Sequence, residues 1–89
     1  MPYVHVTRTP GMTLQDYARV RTEMGTAPIA GQQSHYVGET AGALHIVDVW
    51  ESKAVADRFA AERLFPAFER ASVRMPDDAV ILAFDADDE

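Results

Sequence analysis

The chain has no cysteine and no asparagine, and Lys53 is its only lysine. Without thiols there is no disulfide scaffold, thiolate zinc site, iron–sulfur cluster or Cys nucleophile. Any chemistry therefore falls to His, Asp, Arg and Tyr. No apolar run reaches the ~18 residues of a membrane span, and the segment Met1–Gly11 lacks the charged and apolar regions of a signal peptide. A cytoplasmic protein with no membrane partner is expected. Positive charge is also scarce: 8 Lys+Arg face 14 Asp+Glu, for a formal net charge of −6. A nucleic-acid binder needs a concentrated basic face, so no such partner is expected. The shortage of Asn and Lys beside abundant Ala and Arg suits a GC-rich bacterial genome. What is present is 47% hydrophobic and 25% charged over 89 residues. That is globular composition in the size range of one domain, taken as residues 1–89. Part of the acid surplus crowds the end, at Asp85, Asp87, Asp88 and Glu89, where a frayed tail is expected from about residue 85.

Val4 and Val6 alternate with Tyr3, His5 and Thr7, which predicts a strand over Tyr3–Thr9, ended by Pro10-Gly11. Thr13, with Asp16 three positions on, has the pattern of a capping box opening a helix that runs to about Met24 and stops at Gly25. Strands follow at Gln33–Thr40 and Ala43–Glu51, joined by a two-residue turn at Ala41-Gly42. Ser52 caps a second helix. Pro66 cannot sit deep in a helix, so a break near Arg63–Phe65 and a short helix over Pro66–Ala71 are expected. Pro76-Asp77-Asp78 is a turn, and Ala79–Asp85 the last strand. The order β-α-β-β-α-β is the ferredoxin-like, α+β pattern: a four-stranded antiparallel sheet in order 4-1-3-2 with the helices on one face. The opposite face would carry Val4, Val6, Val47, Val49 and Tyr36, too apolar for water. A second copy covering it, in a symmetric homodimer, is the economical solution. His45 is expected on that face, with its hydrogen bonds satisfied.

The segment from Leu44 to Phe68, LHIVDVWESKAVADRFAAERLFPAF, resembles the dimeric α/β-barrel superfamily, in which a Trp-Glu-Ser-like motif leads strand 3 into helix 2. That superfamily includes antibiotic-biosynthesis monooxygenase-like proteins, stress-responsive barrel proteins and polyketide cyclases. The resemblance implies a dimeric α/β barrel and places Trp50 at a family position. Its cofactor-free monooxygenases carry an Asn four residues before the Trp, where this chain has Ile46. A plant cyclase of the group carries a His after helix 2, where this chain has none beyond His45.

Register supplies the sharpest constellation. If Thr40 and Ala43 flank the turn, His35 lies opposite Asp48. If strands 1 and 3 are centred on each other, so does His5. Opposite residues share a face, so His5, Asp48 and His35 would form a row on the helix-covered side. An Asp beside a His orients the imidazole and favours its charged form, as a general acid–base pair requires. Here His5 is the candidate acid or base and Asp48 its orienter. The same row is compatible with a metal, or with a satisfied polar row and no catalysis. No metal or cofactor is assigned.

Arg21 falls inside the apolar arc of the first helix and could bind an enolate, carboxylate or phenolate, snorkel to the helix edge, or pair with Asp48. Trp50 is a candidate stacking wall or a core residue. Tyr17, Phe59 and Phe65, with Leu64 and Phe68, are candidate pocket residues, while Glu62 and Arg63 are expected at the surface. The resulting expectation is a cofactor-free tailoring enzyme, cyclase- or monooxygenase-like, acting on a planar polyketide-like molecule. The alternative is a non-catalytic dimeric ligand-binding or stress-associated protein.

Overall fold

Alternation along the first strand sends Tyr3, His5, Thr7 and Thr9 to one side and Val4, Val6 and Arg8 to the other. The computed structural model, which describes residues 1–87, places this strand, β1 (Tyr3–Pro10), inside a sheet of order β2-β3-β1-β4. The other strands are β2 (Gln32–Thr40), β3 (Ala43–Trp50) and β4 (Val80–Asp85), and every pairing is antiparallel. This is the expected ferredoxin-like order, read from the opposite edge. No helix among the described residues is long and apolar enough to cross a membrane.

The hairpin turn fixes the register of β2 on β3. Ala41 and Gly42 both have positive φ, at 52° and 73°, which is the requirement of a type I′ turn. Ala41 bears a left-handed cost of about 1–2 kcal/mol, and the return is a Thr40–Ala43 pairing that sets His35 opposite Asp48. At the far end of β2 a bulge lies between Gln32 and Ser34, so β2 starts one residue earlier than expected. Just before it, Gly31 has φ +79°, and a Cβ there would run into the Val55 side chain. Only glycine lets the chain pass this close to the second helix.

The helix α1 (Leu14–Met24) begins with the expected capping box. Asp16 N–H donates to Thr13 Oγ1 at 3.0 Å, and Thr13 N–H donates back to Asp16 at 3.1 Å. That second bond holds the Asp16 carboxyl below its ordinary pKa. Tyr17 and Val20 are the buried residues of α1.

Helix α2 (Lys53–Phe59), capped by Ser52, does not break before Pro66. It passes through a π-helical turn, Ala60–Leu64, directly into α3 (Phe65–Ala71). The widened turn moves the carbonyls that an α-helix would crowd against the proline ring, so the chain stays helical where a break was expected. The turn also carries Arg63 inward. Arg63 Nη2 donates to the Met24 carbonyl at 3.2 Å and Nη1 to the Pro28 carbonyl at 3.0 Å. Arg70 donates to the Glu23 carbonyl at 2.9 Å. Cations thus satisfy the C-terminal carbonyls of α1, and Arg63 is a structural clamp rather than a surface residue.

Both helices cover the face of Tyr3, Thr7, Thr9, Leu44 and Trp50, all buried. The opposite face carries the four expected valines, half-buried, and Tyr36, which is 69% exposed. The exposed Val80, Leu82 and Phe84 extend it along β4. His45 is on this face, paired with Arg8 and Gly38. Its Nε2 is buried without a partner, against the expectation of a satisfied histidine. The expected fraying is also corrected at Asp85, which ends β4 opposite Tyr3, while Ala86 N–H donates to the Pro2 carbonyl at 2.8 Å. Asp88 and Glu89 lie outside the described residues.

Candidate active site between sheet and helices

His5, Asp48 and His35 form the expected row across three strands, each His opposite the same Asp. The hydrogen bonds then choose one side. Asp48 Oδ1 accepts from His35 Nδ1 and, more weakly, from Gln32 Nε2 at 3.4 Å. The other ring nitrogen of His35, Nε2, meets the Tyr17 hydroxyl at 2.7 Å. His5 instead shares a 3.3 Å bond between its Nδ1 and Thr7 Oγ1. The expected pairing of His5 with Asp48 is therefore corrected: Asp48 orients His35. Tyr17, reaching down from α1, holds the His35 ring from its far side, while His5 finds a partner two residues along its own strand.

The proton positions in this chain follow from valence. A carboxylate only accepts, so His35 Nδ1 carries the hydrogen. In the neutral imidazole Nε2 is then a lone pair, and the Tyr17 O–H must donate to it. Tyr17 and His35 also stack, with ring centroids 5.9 Å apart and planes at 24°. One helical turn on, the Arg21 guanidinium lies 5.9 Å from the Tyr17 ring centroid. Burial pushes the Tyr17 phenol above its ordinary pKa, while the nearby positive charge of Arg21 works against that rise. Arg21 is exposed, and among the described residues it makes no ion pair with Asp48.

These groups face a cavity of about 220 Å³. His5, Asp48 and His35 lie on its sheet side, with Tyr17 and Arg21 on its α1 side. Phe59, Leu64 and Phe68 supply aromatic and apolar wall as expected, and Phe65 lines the cavity while remaining 59% exposed. Met12, Met24 and Met75 also line it, giving a soft, adaptable surface. An engineered cavity of about 150 Å³ holds benzene, so this one suits a molecule of one or two rings. Among the described residues, no set of three His, Asp or Glu converges as a metal cage.

No family model matches the chain, and no curated protein matches it. Solved structures do. A mutant of SnoaB, a cofactor-independent oxygenase of Streptomyces nogalater, superposes with TM-score 0.69 at 15% identity, covering 96% of this chain and 92% of its own. A candidate antibiotic biosynthesis monooxygenase of Caulobacter crescentus gives TM-score 0.74 at 12% identity, with 98% and 91% covered. A dimeric ferredoxin-like protein of unknown function from Jannaschia gives 0.65 at 17% identity, with 97% and 100% covered. The chain has the ferredoxin-like fold that these structures share.

Within this fold, Trp50 is not a pocket wall. It is 2% exposed, clusters with Tyr3 and Ala56, and lies against the back of Phe59 at 5.0 Å between centroids. Phe59, not Trp50, presents the aromatic surface to the cavity. Ile46, at the position where the resemblance places an Asn, is an apolar lining residue. Sequence reading missed Gln32. Strict alternation from His35 puts residue 33 on the site's face, but the bulge substitutes Gln32.

Proposed function

We propose that the chain is a cofactor-independent tailoring enzyme that moves protons on a planar aromatic molecule, in a cyclase- or monooxygenase-like reaction. The observation that carries this reading is the Asp48–His35 pair facing an apolar cavity. A carboxylate on Nδ1 fixes the tautomer and stabilises the imidazolium that forms when Nε2 takes a proton. His35 is the group on which the proton ends, Asp48 its orienter, and His5 a second acid–base group across the row. Arg21 offers a positive charge to a developing oxyanion. The description of SnoaB as a cofactor-independent oxygenase is in keeping with this chemistry. Cavity size narrows the substrate to one or two rings.

The test uses 2-tetralone, a bicyclic ketone whose C1 hydrogens are acidic, in deuterated buffer with exchange followed by NMR. Wild-type protein is expected to accelerate exchange, and His35→Gln to lose about 100-fold. Wild-type protein that binds the ketone without exchanging its hydrogens is a ligand-binding protein instead.

The assembly follows from the bare sheet face. Its exposed apolar strip is covered by a second copy, as the dimeric character of the Jannaschia protein suggests. Sedimentation should give a dimer for the wild type and a monomer for Leu82→Glu. A wild type that sediments as a monomer at micromolar concentration rejects that arrangement.

A further inference from the structure

We infer that Tyr17, not His35, is the group that removes the proton, and that the substrate is a carbon acid whose enolate oxygen is received by Arg21. This rests on the acid–base reading above and deepens it. With His35 neutral and Asp48 ionised, the two hydrogen bonds of the imidazole have one direction each. His35 Nδ1–H is committed to Asp48, and its Nε2 lone pair is committed to the Tyr17 hydroxyl at 2.7 Å. A substrate approaching through the cavity therefore meets no free nitrogen on His35. It meets the Tyr17 oxygen, whose own proton already points toward a base.

The relay runs in one sense. The substrate C–H bond breaks and its proton goes to the Tyr17 oxygen. The proton that Tyr17 held passes to His35 Nε2, and the imidazolium so formed lies against the Asp48 carboxylate. The electron pair of the C–H bond enters the neighbouring carbonyl and gives an enolate. No oxidant or co-reactant is consumed.

Two features independent of the relay fit this assignment. Arg21 lies one helical turn from Tyr17 and lines the same cavity. It is the only Lys or Arg among the lining residues. Its charge favours both a transient phenolate on Tyr17 and an oxyanion beside it. The rest of the lining is largely apolar, which suits a neutral ketone entering and strengthens the charge interactions once water is displaced. A substrate bearing a carboxylate holds its α-hydrogens more tightly, and its charge suits the apolar lining poorly. A carbon flanked by a carbonyl and an arene, or by two carbonyls, is acidic enough for this relay and carries no charge before it reacts.

The experiment compares Tyr17→Phe with His35→Gln in the same 2-tetralone exchange. If Tyr17 takes the proton, Tyr17→Phe loses about 100-fold, as much as His35→Gln. If His35 acts directly, removing the hydroxyl frees Nε2, and Tyr17→Phe exchanges as fast as wild type or faster. That result overturns the inference and leaves the acid–base reading standing. No exchange by wild-type protein overturns both. Should Tyr17→Phe fold poorly, 3-fluorotyrosine placed at position 17 keeps the shape and lowers the phenol pKa. The exchange rate profile should then move to lower pH, and an unmoved profile counts against Tyr17.

Discussion

Asp48→Asn should slow the exchange of 2-tetralone by about 100-fold, as much as His35→Gln, within the range that general acid–base groups supply. The amide has nearly the shape of the carboxylate, so the sheet should form as before. Two things are lost. The negative charge that stabilises a protonated His35 disappears. The amide can also present its N–H₂ to Nδ1, which moves the imidazole hydrogen to Nε2 and makes His35 a donor to Tyr17. In that state the relay cannot accept a proton from Tyr17 at all. Exchange kinetics beside a urea titration separate this from unfolding: the expected variant is folded and slow. An Asp48→Asn variant exchanging within a few-fold of wild type would show the carboxylate to be a passive hydrogen-bond acceptor.

Trp50→Ala should act the opposite way, on the fold. Trp50 is the largest side chain of a cluster with Tyr3 and Ala56, and Trp→Ala in such a setting costs about 3–5 kcal/mol. A small domain has about 5–15 kcal/mol in total, so the urea midpoint should fall by about a fifth or more. Trp50→Phe should retain the packing in part and leave exchange within a few-fold, because Phe59 stands between Trp50 and the cavity. A stacking role for Trp50 predicts the reverse, with Trp50→Phe stable but impaired in binding.

These two residues show what a sequence can and cannot disclose about this site. The row of His5, Asp48 and His35 was legible because strand alternation and a two-residue turn leave little freedom of register. The ferredoxin-like order was legible for the same reason, since each element has its own period and its own stop signal. What the row would do was not legible. Choosing between His5 and His35 as the partner of Asp48 depends on a tyrosine arriving from a helix packed across the sheet, and no local pattern encodes that contact. Trp50 has the right parity for the site, but parity does not say that Phe59 lies in front of it. Gln32 was hidden by a bulge, and a bulge breaks the very alternation used to assign faces. Pro66 gave a sound warning of irregularity, and the chain met it by widening the helix rather than ending it.

That widened turn has a genetic consequence. A π-helical turn holds one residue more than the α-helix it interrupts, and an α-helix rotates by about 100° per residue. Loss of a single codon between Ala60 and Leu64 would therefore restore a plain α-helix, keep Phe65 and Phe68 on nearly the same face, and press the Pro66 ring against the carbonyls of the preceding turn. Only the stretch of pocket wall between Ala60 and Leu64 is redrawn, with the sheet and its proton-handling row left untouched. A lineage carrying this fold can thus alter one segment of the cavity by indel, provided that the proline is replaced as well.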